Sequence, residues 1–441
     1  VTQQRLSFER VLPIFTLTFV DVLGLTIILP LLHLYAAAFG ASPLQIGLVA
    51  AAFPLSQLLG VPVMGALSDR YGRKPLLLIS QVSTCASFLM LAGATSLEMI
   101  ILSRVVDGLF GANLATAQAA ITDLTDERTR AQGLGLTGAA FGLGFILGPT
   151  IALISLEFSS SLAIPALIAA AYSFLSILLT LFGFEETLPA KRRRVDSIAP
   201  LLNPLRMLRQ ARANHLLVLM FAQQIVFFAF ESLLGLFTLS RLGLLGQGNA
   251  FVFIYVGVIL VYVQVRLIGR WSRKYGERKL VFASLVLLAL GLLMVAVTPN
   301  QPHPLYIARQ VEASLRDLSP TSTESIIGDI PITLPQDSQR GIGGLAWFLI
   351  AIIPLSIGAG LIRPALNSLM IQRVQPTESG AILGISASFV SLANAVAPLI
   401  GGLIFQSGGA AAPFLVGGGV MAVLFIISLR LIQPAVKTEP E

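Results

Sequence analysis

Twelve runs of mainly apolar residues follow one another along this chain, each close to the roughly 20 residues a helix needs to cross a hydrocarbon core. They lie at about 11–36, 46–66, 76–95, 98–121, 132–156, 162–184, 215–241, 249–268, 280–298, 344–365, 379–405 and 412–433. Within a bilayer every backbone N–H and C=O must find its partner inside the protein, which leaves helices and closed barrels. Barrel strands alternate apolar and polar residues over about ten positions, and these runs do not. The predicted fold class is therefore all-α integral membrane, with twelve transmembrane helices. Composition excludes a soluble fold: 55% of the residues are hydrophobic and 12% charged, too little polar surface for water. The first run is about twice the length of a signal-peptide core and lacks a small-residue cleavage site, so it is expected to stay as a helix.

The net charge of +7 would fit nucleic acid if it formed one patch. Instead the cations gather in alternate segments between the runs, among them Arg70, Arg73, Lys74, the tetrad 191–194, Arg270, Arg273 and Lys274. This is the positive-inside pattern. It places both termini in the cytoplasm, makes the lipid bilayer the partner, and argues against nucleic acid. A lone Cys85 excludes an intramolecular disulfide, and the scattered His33, His215 and His303 form no metal cluster. No metal and no cofactor are expected. No nucleophile–base set is apparent, so an enzyme is not expected. A monomer in the cell membrane, of the bacterial inner-membrane kind, is.

The stretch GALSDRYGRKP at 65–75 returns as GRWSRKYGERK at 269–279, 204 residues on. Later, Pro149 and Pro398 correspond at a spacing of 249 residues. The difference is the length of the polar segment 299–343. The chain thus reads as two six-helix halves, 1–184 and 215–441, with an extracytoplasmic insertion at 299–343 and a basic cytoplasmic linker at 185–214. Repeats of this kind mark transporters, whose site lies between the halves near the midplane. In the insertion, Ile307, Val311, Leu315 and Leu318 at helical spacing predict one short amphipathic helix. In the linker, Asn203 and Pro204 can start a helix with Arg206, Arg209 and Arg212 on one face, lying on the membrane surface. The copy at 269–279 puts Arg273 where the first has Asp69.

These residues resemble the major facilitator superfamily. Gly65, Leu67, Ser68, Asp69, Arg70, Gly72, Arg73 and Lys74 match its loop signature between helices 2 and 3. The resemblance implies two domains rocking about a central site without ATP, and the chain has no G-x-x-x-x-G-K-[ST] loop. It also implies that Asp69 latches the inner gate by touching helix 11, a role Arg273 cannot repeat. Asp123, at the inner end of helix 4, is placed to pair with the loop's cations. In helix 5, Gly135, Gly144, Gly148 and Pro149 resemble a signature of proton-coupled antiporters, in particular the tetracycline-efflux group. The departure is at Ala152 and Leu153, where that signature has glycines. Small residues four apart allow close helix approach, and Pro149 bends the helix and frees a carbonyl. Together they predict a tight seam that slides or seals.

Ionisable groups inside a membrane helix are costly and mark functional positions by default. Asp21 lies about 15 Å into helix 1 at ~1.5 Å per residue. Arg104 and Asp107 lie in helix 4, and Glu231 in helix 7. Arg104, Asp107, Gly108, Gly111, Ala115 and Gln118 predict one continuous helical face. RVVDG resembles the antiporter pattern R-x-x-Q-G with Asp107 in place of Gln. The resemblance assigns the cavity to helices 1, 4, 7 and 10, so Asp21, Arg104, Asp107 and Glu231 are the candidates for proton coupling. The bland alternatives are a static Arg104–Asp107 pair and a structural helix–helix bond for Asp21. Gln118, Gln223, Gln224 and Phe227, in a helix 7 rich in phenylalanine, are the candidate substrate-cavity residues, suited to a flat lipophilic or cationic solute.

The reading is a secondary active transporter, a proton-driven exporter of lipophilic or cationic small molecules. One rival is a proton symporter or facilitator importing a small polar solute. Another is a non-transporting receptor or scaffold that uses the insertion. The topology is tested with single cysteines in a Cys85→Ala background and an impermeant thiol reagent on intact cells. Cysteine at Ser322 should label and cysteine at Ser197 should not; the reverse result overturns the orientation.

Overall fold

The structure is a computed structural model of the chain that describes residues 8–124, 130–158, 161–188, 214–317, 334–373 and 379–432. These are helical, with no strand among the described residues. The expected linker helix at Asn203 falls outside them. Ten helical stretches are long and apolar enough to cross a membrane, and Gly142–Phe158 and Gly246–Tyr262 are shorter apolar helices.

The first helix, α1 (Phe8–Ile28), gives way to a 3-10 turn at Leu29–Leu31 and continues as α2 (Leu32–Ala37). Pro30, which has no N–H to donate, sits in that turn. Ser42 opens α3 (Pro43–Tyr71) with a capping box to Gln45. Between α3 and α4 (Arg73–Ala92), Gly72 has φ 109°, and its counterpart Gly276 has φ 75°. Side-chain-bearing residues rarely adopt such angles, which is why both copies of the repeat keep the glycine.

The run expected at 98–121 is not one helix. It is α5 (Leu97–Phe110) and α6 (Asn113–Leu124), separated at Gly111 and Ala112. A Cβ on Gly111 would lie 2.1 Å from the Asp107 carbonyl oxygen, so the bend requires glycine. The exposed backbone is met by side chains: Gln57 Nε2 donates to the Gly111 carbonyl at 3.4 Å, and Ser80 Oγ accepts from the Ala112 N–H at 3.3 Å. The face expected to run unbroken from Arg104 to Gln118 is therefore split.

Then come α7 (Arg130–Phe158) and α8 (Ala163–Gly183). After the linker follow α9 (Asn214–Leu242), α10 (Gly246–Tyr262), a π turn at Val263–Leu267, α11 (Ile268–Tyr275) and α12 (Glu277–Ala296). The chain ends with α13 (Ala308–Asp317), α14 (Gly343–Ile371), α15 (Ser379–Gly408) and α16 (Ala412–Leu431). Helices before the linker pack mainly on one another: α1 on α7 and α8, α4 on α8 and α5, α3 on α5. Those after it do likewise, α12 on α14 and α16, α9 on α15 and α16. Two long pairings join the groups, α3 with α15 and α7 with α10.

Both joins rest on bare backbone. A Cβ on Gly47 would lie 2.4 Å from the Pro398 carbonyl oxygen, and one on Gly402 2.8 Å from that of Pro43. In the other join, Gly257 faces the Phe145 carbonyl oxygen, 2.9 Å from its notional Cβ. Phe145 is four residues before Pro149, so its carbonyl is the one that proline leaves without an N–H. The glycines Gly144 and Gly148 do not form this seam: they take Val22 and Thr26 of α1, at 2.4 and 2.1 Å from a notional Cβ. Helix spacing signalled a close approach but not its partner. Gly135 lies in α7.

The helix expected in the insertion is α13. Val311 is buried, whereas Ile307 is 43% exposed; Leu315 and Leu318 lie outside the described side chains. The α13 N-terminus is tied by Asp337, which accepts from the Ala308 N–H at 2.9 Å and pairs with Arg340 at 3.0 Å. The Ala308 N–H, with Arg340, holds the Asp337 carboxyl below the usual range. Tyr306 is fully buried, its hydroxyl donating to the Pro335 carbonyl at 3.0 Å.

Gly47→Ala should lower the thermal midpoint in detergent by the equivalent of about 1–3 kcal/mol, the usual cost of overpacking. Gly65→Ala, whose Cβ meets nothing within 4 Å, should be neutral or stabilising, since alanine is favoured over glycine within a helix by roughly 0.5–1 kcal/mol. Equal effects would remove the special standing of the α3–α15 contact.

Candidate functional site

Three groups of polar side chains occur where an apolar chain should have none. The first lies among α1, α4, α5, α6 and α8. Arg104 and Asp107 are 2% and 3% exposed. Arg104 Nη1 stands 3.6 Å from Asp107 Oδ2, an ion pair but not a hydrogen bond. Each finds its bonds elsewhere: Arg104 Nη2 donates to Ser87 Oγ at 2.7 Å, and Asp107 Oδ1 accepts from Thr84 Oγ1 at 2.8 Å. The guanidinium also lies 5.6 Å from the Phe88 ring centre.

Asp21 belongs to the same layer. Leu17, Leu77 and Ala117 share an apolar cluster, and one turn along α1 and α4 from it come Asp21 and Gln81, with Asn113 and Thr116 on α6. Gln81 and Ser176 are beside Asp21, and the charge of Asp107 reaches it. Neither Asp21 oxygen is held in good hydrogen-bond geometry, although Ser176 and Gln81 stand close enough to donate after a small shift, and Gln81 Oε1, Asn113 Oδ1 and Thr116 Oγ1 have no partner. All five atoms are buried; four can only accept while Asp21 is ionised, and the Thr116 hydroxyl can also donate. The amide nitrogen of Gln81 is used, donating to Ser176 Oγ at 2.8 Å.

Glu231 is not part of this layer. It lines a cavity of about 50 Å³ with Leu29, His33, Ile46, Phe228 and Phe253, between the two groups of helices. Beside it, His33 of α2 meets Asn249 of α10 at 3.1 Å, and Asn249 is bonded to Thr238 of α9. This buried trio was not foreseen, because His33 lies more than two hundred residues from Thr238 and Asn249 in the chain. Gln224 donates to Asn394 of α15 at 2.8 Å. Gln223 is buried and donates to the Met220 carbonyl. The Phe227 ring is tilted against Phe230, and Gln118 is half-buried. None of these four lines the Glu231 cavity.

The third group is the α3–α4 loop. Arg73 is 7% exposed and binds Asp69 at 2.6 Å, Asp123 at 2.9 Å and Ser68 Oγ at 3.1 Å. The expected pairing of Asp123 with the loop's cations is thus present. Lys74 Nζ donates to the Leu181 carbonyl, and Arg70 is exposed over Tyr71. A Cβ on Gly65 would meet open space. Glu186, which the sequence reading passed over, accepts from the N–H groups of Arg73 and Lys74 at 2.9 and 3.2 Å. It caps α4 from beyond the end of α8, 113 residues along the chain, so no local pattern announced it. The segment 374–378, where a latch from Asp69 would reach the start of α15, lies outside the described residues.

The copy of this loop holds a second surprise. Glu277 stands where Arg73 stands, so the pair Asp69–Arg73 returns as Arg273 and Glu277 with its charges reversed. Glu277 accepts from Ser272 and from Ser368 of α14, at 2.9 and 3.2 Å.

The profile of the Major Facilitator Superfamily matches residues 14–310 and 339–441. The chain belongs to this superfamily. It is a multi-pass cell-membrane protein, a transporter rather than an enzyme. Tetracycline resistance protein class B of Escherichia coli is 26% identical over 396 residues, 88% of this chain and 87% of that one. The crystal structure of the human organic anion transporter MFSD10 (TETRAN) superposes with TM-score 0.67 at 23% identity, covering 96% of this chain and all of that one. That of nucleoside transporter NupG gives 0.68 at 13% identity, over 96% and 98%.

Removing one member of a buried ion pair leaves an uncompensated charge, at a cost of about 3–5 kcal/mol, whereas apolar replacement of both is often neutral. Arg104→Met should therefore strongly lower the thermal midpoint in detergent, and adding Asp107→Leu should recover most of the loss. A double variant as unstable as the single one would show that Arg104 is held by Ser87 and Phe88 rather than by Asp107.

Proposed function

We propose that this transporter is a proton-coupled antiporter exporting lipophilic or cationic small molecules by alternating access. In this reading it has twelve membrane helices in two six-helix halves, 1–184 and 215–441, with a cytoplasmic linker and both termini inside. The observation that carries the proposal is the layer of unpartnered acceptors around Asp21. A buried carboxylate with no donor is strongly disfavoured. A protonated one brings its own O–H, and Gln81 Oε1 is a neighbouring acceptor that lacks a donor. One proton on Asp21 thus satisfies two orphaned groups at once. Losing it requires water or a cation to reach the layer, which is what opening the cavity to one side would supply.

Arg104 and Asp107 sit beside this proton site and are held by Ser87 and Thr84, so a change of charge on Asp21 is felt by Asp107 first. Glu231, with Phe228 and Phe253 around it, would offer a negative group and aromatic walls to a cationic solute once the cavity, about 50 Å³ here, widens. The relatives named above handle different solutes, so the support for this substrate class comes from these residue types and from the tetracycline-resistance relative. The joins α3–α15 and α7–α10, built of backbone against glycine, are the surfaces on which the halves would rock. Asp69, bound to Arg73 in this structure, is the candidate latch.

The test is dye efflux from proteoliposomes with and without an imposed pH gradient. Asp21→Asn cannot release a proton, yet its amide still donates to Gln81. It should retain downhill exchange and lose uphill export driven by protons. If Asp21→Asn still pumps uphill, the proton carrier is elsewhere.

A further inference from the structure

The reversed loop leaves cations without acids. Arg278, next to Glu277, has a buried Nε with no hydrogen-bond partner, and its guanidinium lies 5.2 Å from the Phe282 ring centre. Arg373, beyond the end of α14, feels the like charge of Arg278. Its Nη1 is in hydrogen-bond contact with Nε2 of His215, on the first turn of α9. An arginine can only donate, so a hydrogen bond there has His215 Nε2 as its acceptor. Partial burial, and then Arg278, hold the Arg373 guanidinium below its ordinary range. Among the described residues no carboxylate is within ion-pair distance of Arg278 or Arg373. The acid in reach, Glu277, is bonded to Ser272 and Ser368.

The Ser368–Glu277 hydrogen bond brings the end of α14 to the start of α12, and with them Arg373 and Arg278; two arginines from adjoining helix ends, one with an unpartnered buried donor, call for an anion with several acceptor oxygens. We infer that Arg278 and Arg373, with His215, form a site for the phosphate of an anionic phospholipid headgroup. The lipid source is favoured over free phosphate by the surroundings. The cluster is at the ends of the apolar spans α9, α12 and α14. The adjoining α11 has no buried residue and exposes Arg270, Arg273 and Lys274, with Lys279 exposed just beyond. Such a basic face at a membrane surface attracts anionic lipid, each cation contributing about 1 kcal/mol. The inference uses the orientation proposed above, which puts these ends on the cytoplasmic leaflet. It is tested by binding, so it stands or fails apart from transport.

Trp271 lies on α11 beside the cluster, and the chain has two tryptophans; Trp347→Phe leaves Trp271 as the sole reporter. The purified full chain in detergent is titrated with brominated phosphatidylglycerol or brominated phosphatidylcholine, and quenching of Trp271 is read. The anionic lipid should quench at lower concentration, and Arg278→Gln or Arg373→Gln should each reduce that preference roughly fivefold. Arg270→Gln should reduce it less. Where a glutamine variant does not fold, Arg373→Lys, which keeps the charge but loses the planar fork, should retain part of the preference. Equal quenching by the two lipids overturns the inference. An equal loss in Arg270→Gln shows diffuse attraction and overturns it too. Displacement of phosphatidylglycerol by millimolar inorganic phosphate would assign the site to free phosphate instead of lipid.

Discussion

Hydrocarbon supplies no hydrogen-bond partner, and every departure of this chain from continuous helix is shaped by that constraint. Where α5 stops at Phe110, Gln57 and Ser80 reach in to take the freed backbone groups. Where Pro149 releases the Phe145 carbonyl, the adjoining Gly257 lets α10 close over it. Hydroxyls follow the same logic: Thr18, Thr26 and Ser284 donate back to carbonyls one turn earlier. Among the described residues nine buried side-chain atoms lack a partner, and five of them belong to Asp21, Gln81, Asn113 and Thr116. In the function proposed above, they mark the place where a proton comes and goes.

What the sequence made legible was whatever depends on short-range pattern. The apolar runs, the glycine turns at Gly72 and Gly276, the helix in the insertion and the i,i+3 proximity of Arg104 and Asp107 all follow from spacing along the chain. What it hid depends on which helix meets which. The spacing of Gly144 and Gly148 announced a close approach, but only the fold says that α1 is the partner and that Gly257 serves the other seam. The break at Gly111 was masked by the long apolar run around it, although Gly111 and Asn113 are weak helix formers; the bend is held by contacts with Gln57 of α3 and Ser80 of α4. His33, Asn249 and Thr238 are unremarkable singly and become a buried bridge only when α2 meets α9 and α10.

The two loop copies show how a repeated fold comes to do two things. Arg73 occupies the first position of α4, where a cation opposes the positive end of the helix dipole. It is tolerated because Asp69 and Asp123 bind its side chain while Glu186 takes the backbone donors. Three acids are thus committed to one turn, and each is a contact that must break or hold when the helices shift. At the same position of α12 stands Glu277, which the dipole favours without help. No further acid is needed there, and serines suffice to hold it. The economy has a consequence: among the described residues no acid compensates Arg278 or Arg373 at the end of the bundle. One loop is closed on itself by ion pairs, as the proposed latch requires; the other exposes Arg270, Arg273, Lys274 and Lys279, as the inferred lipid site requires.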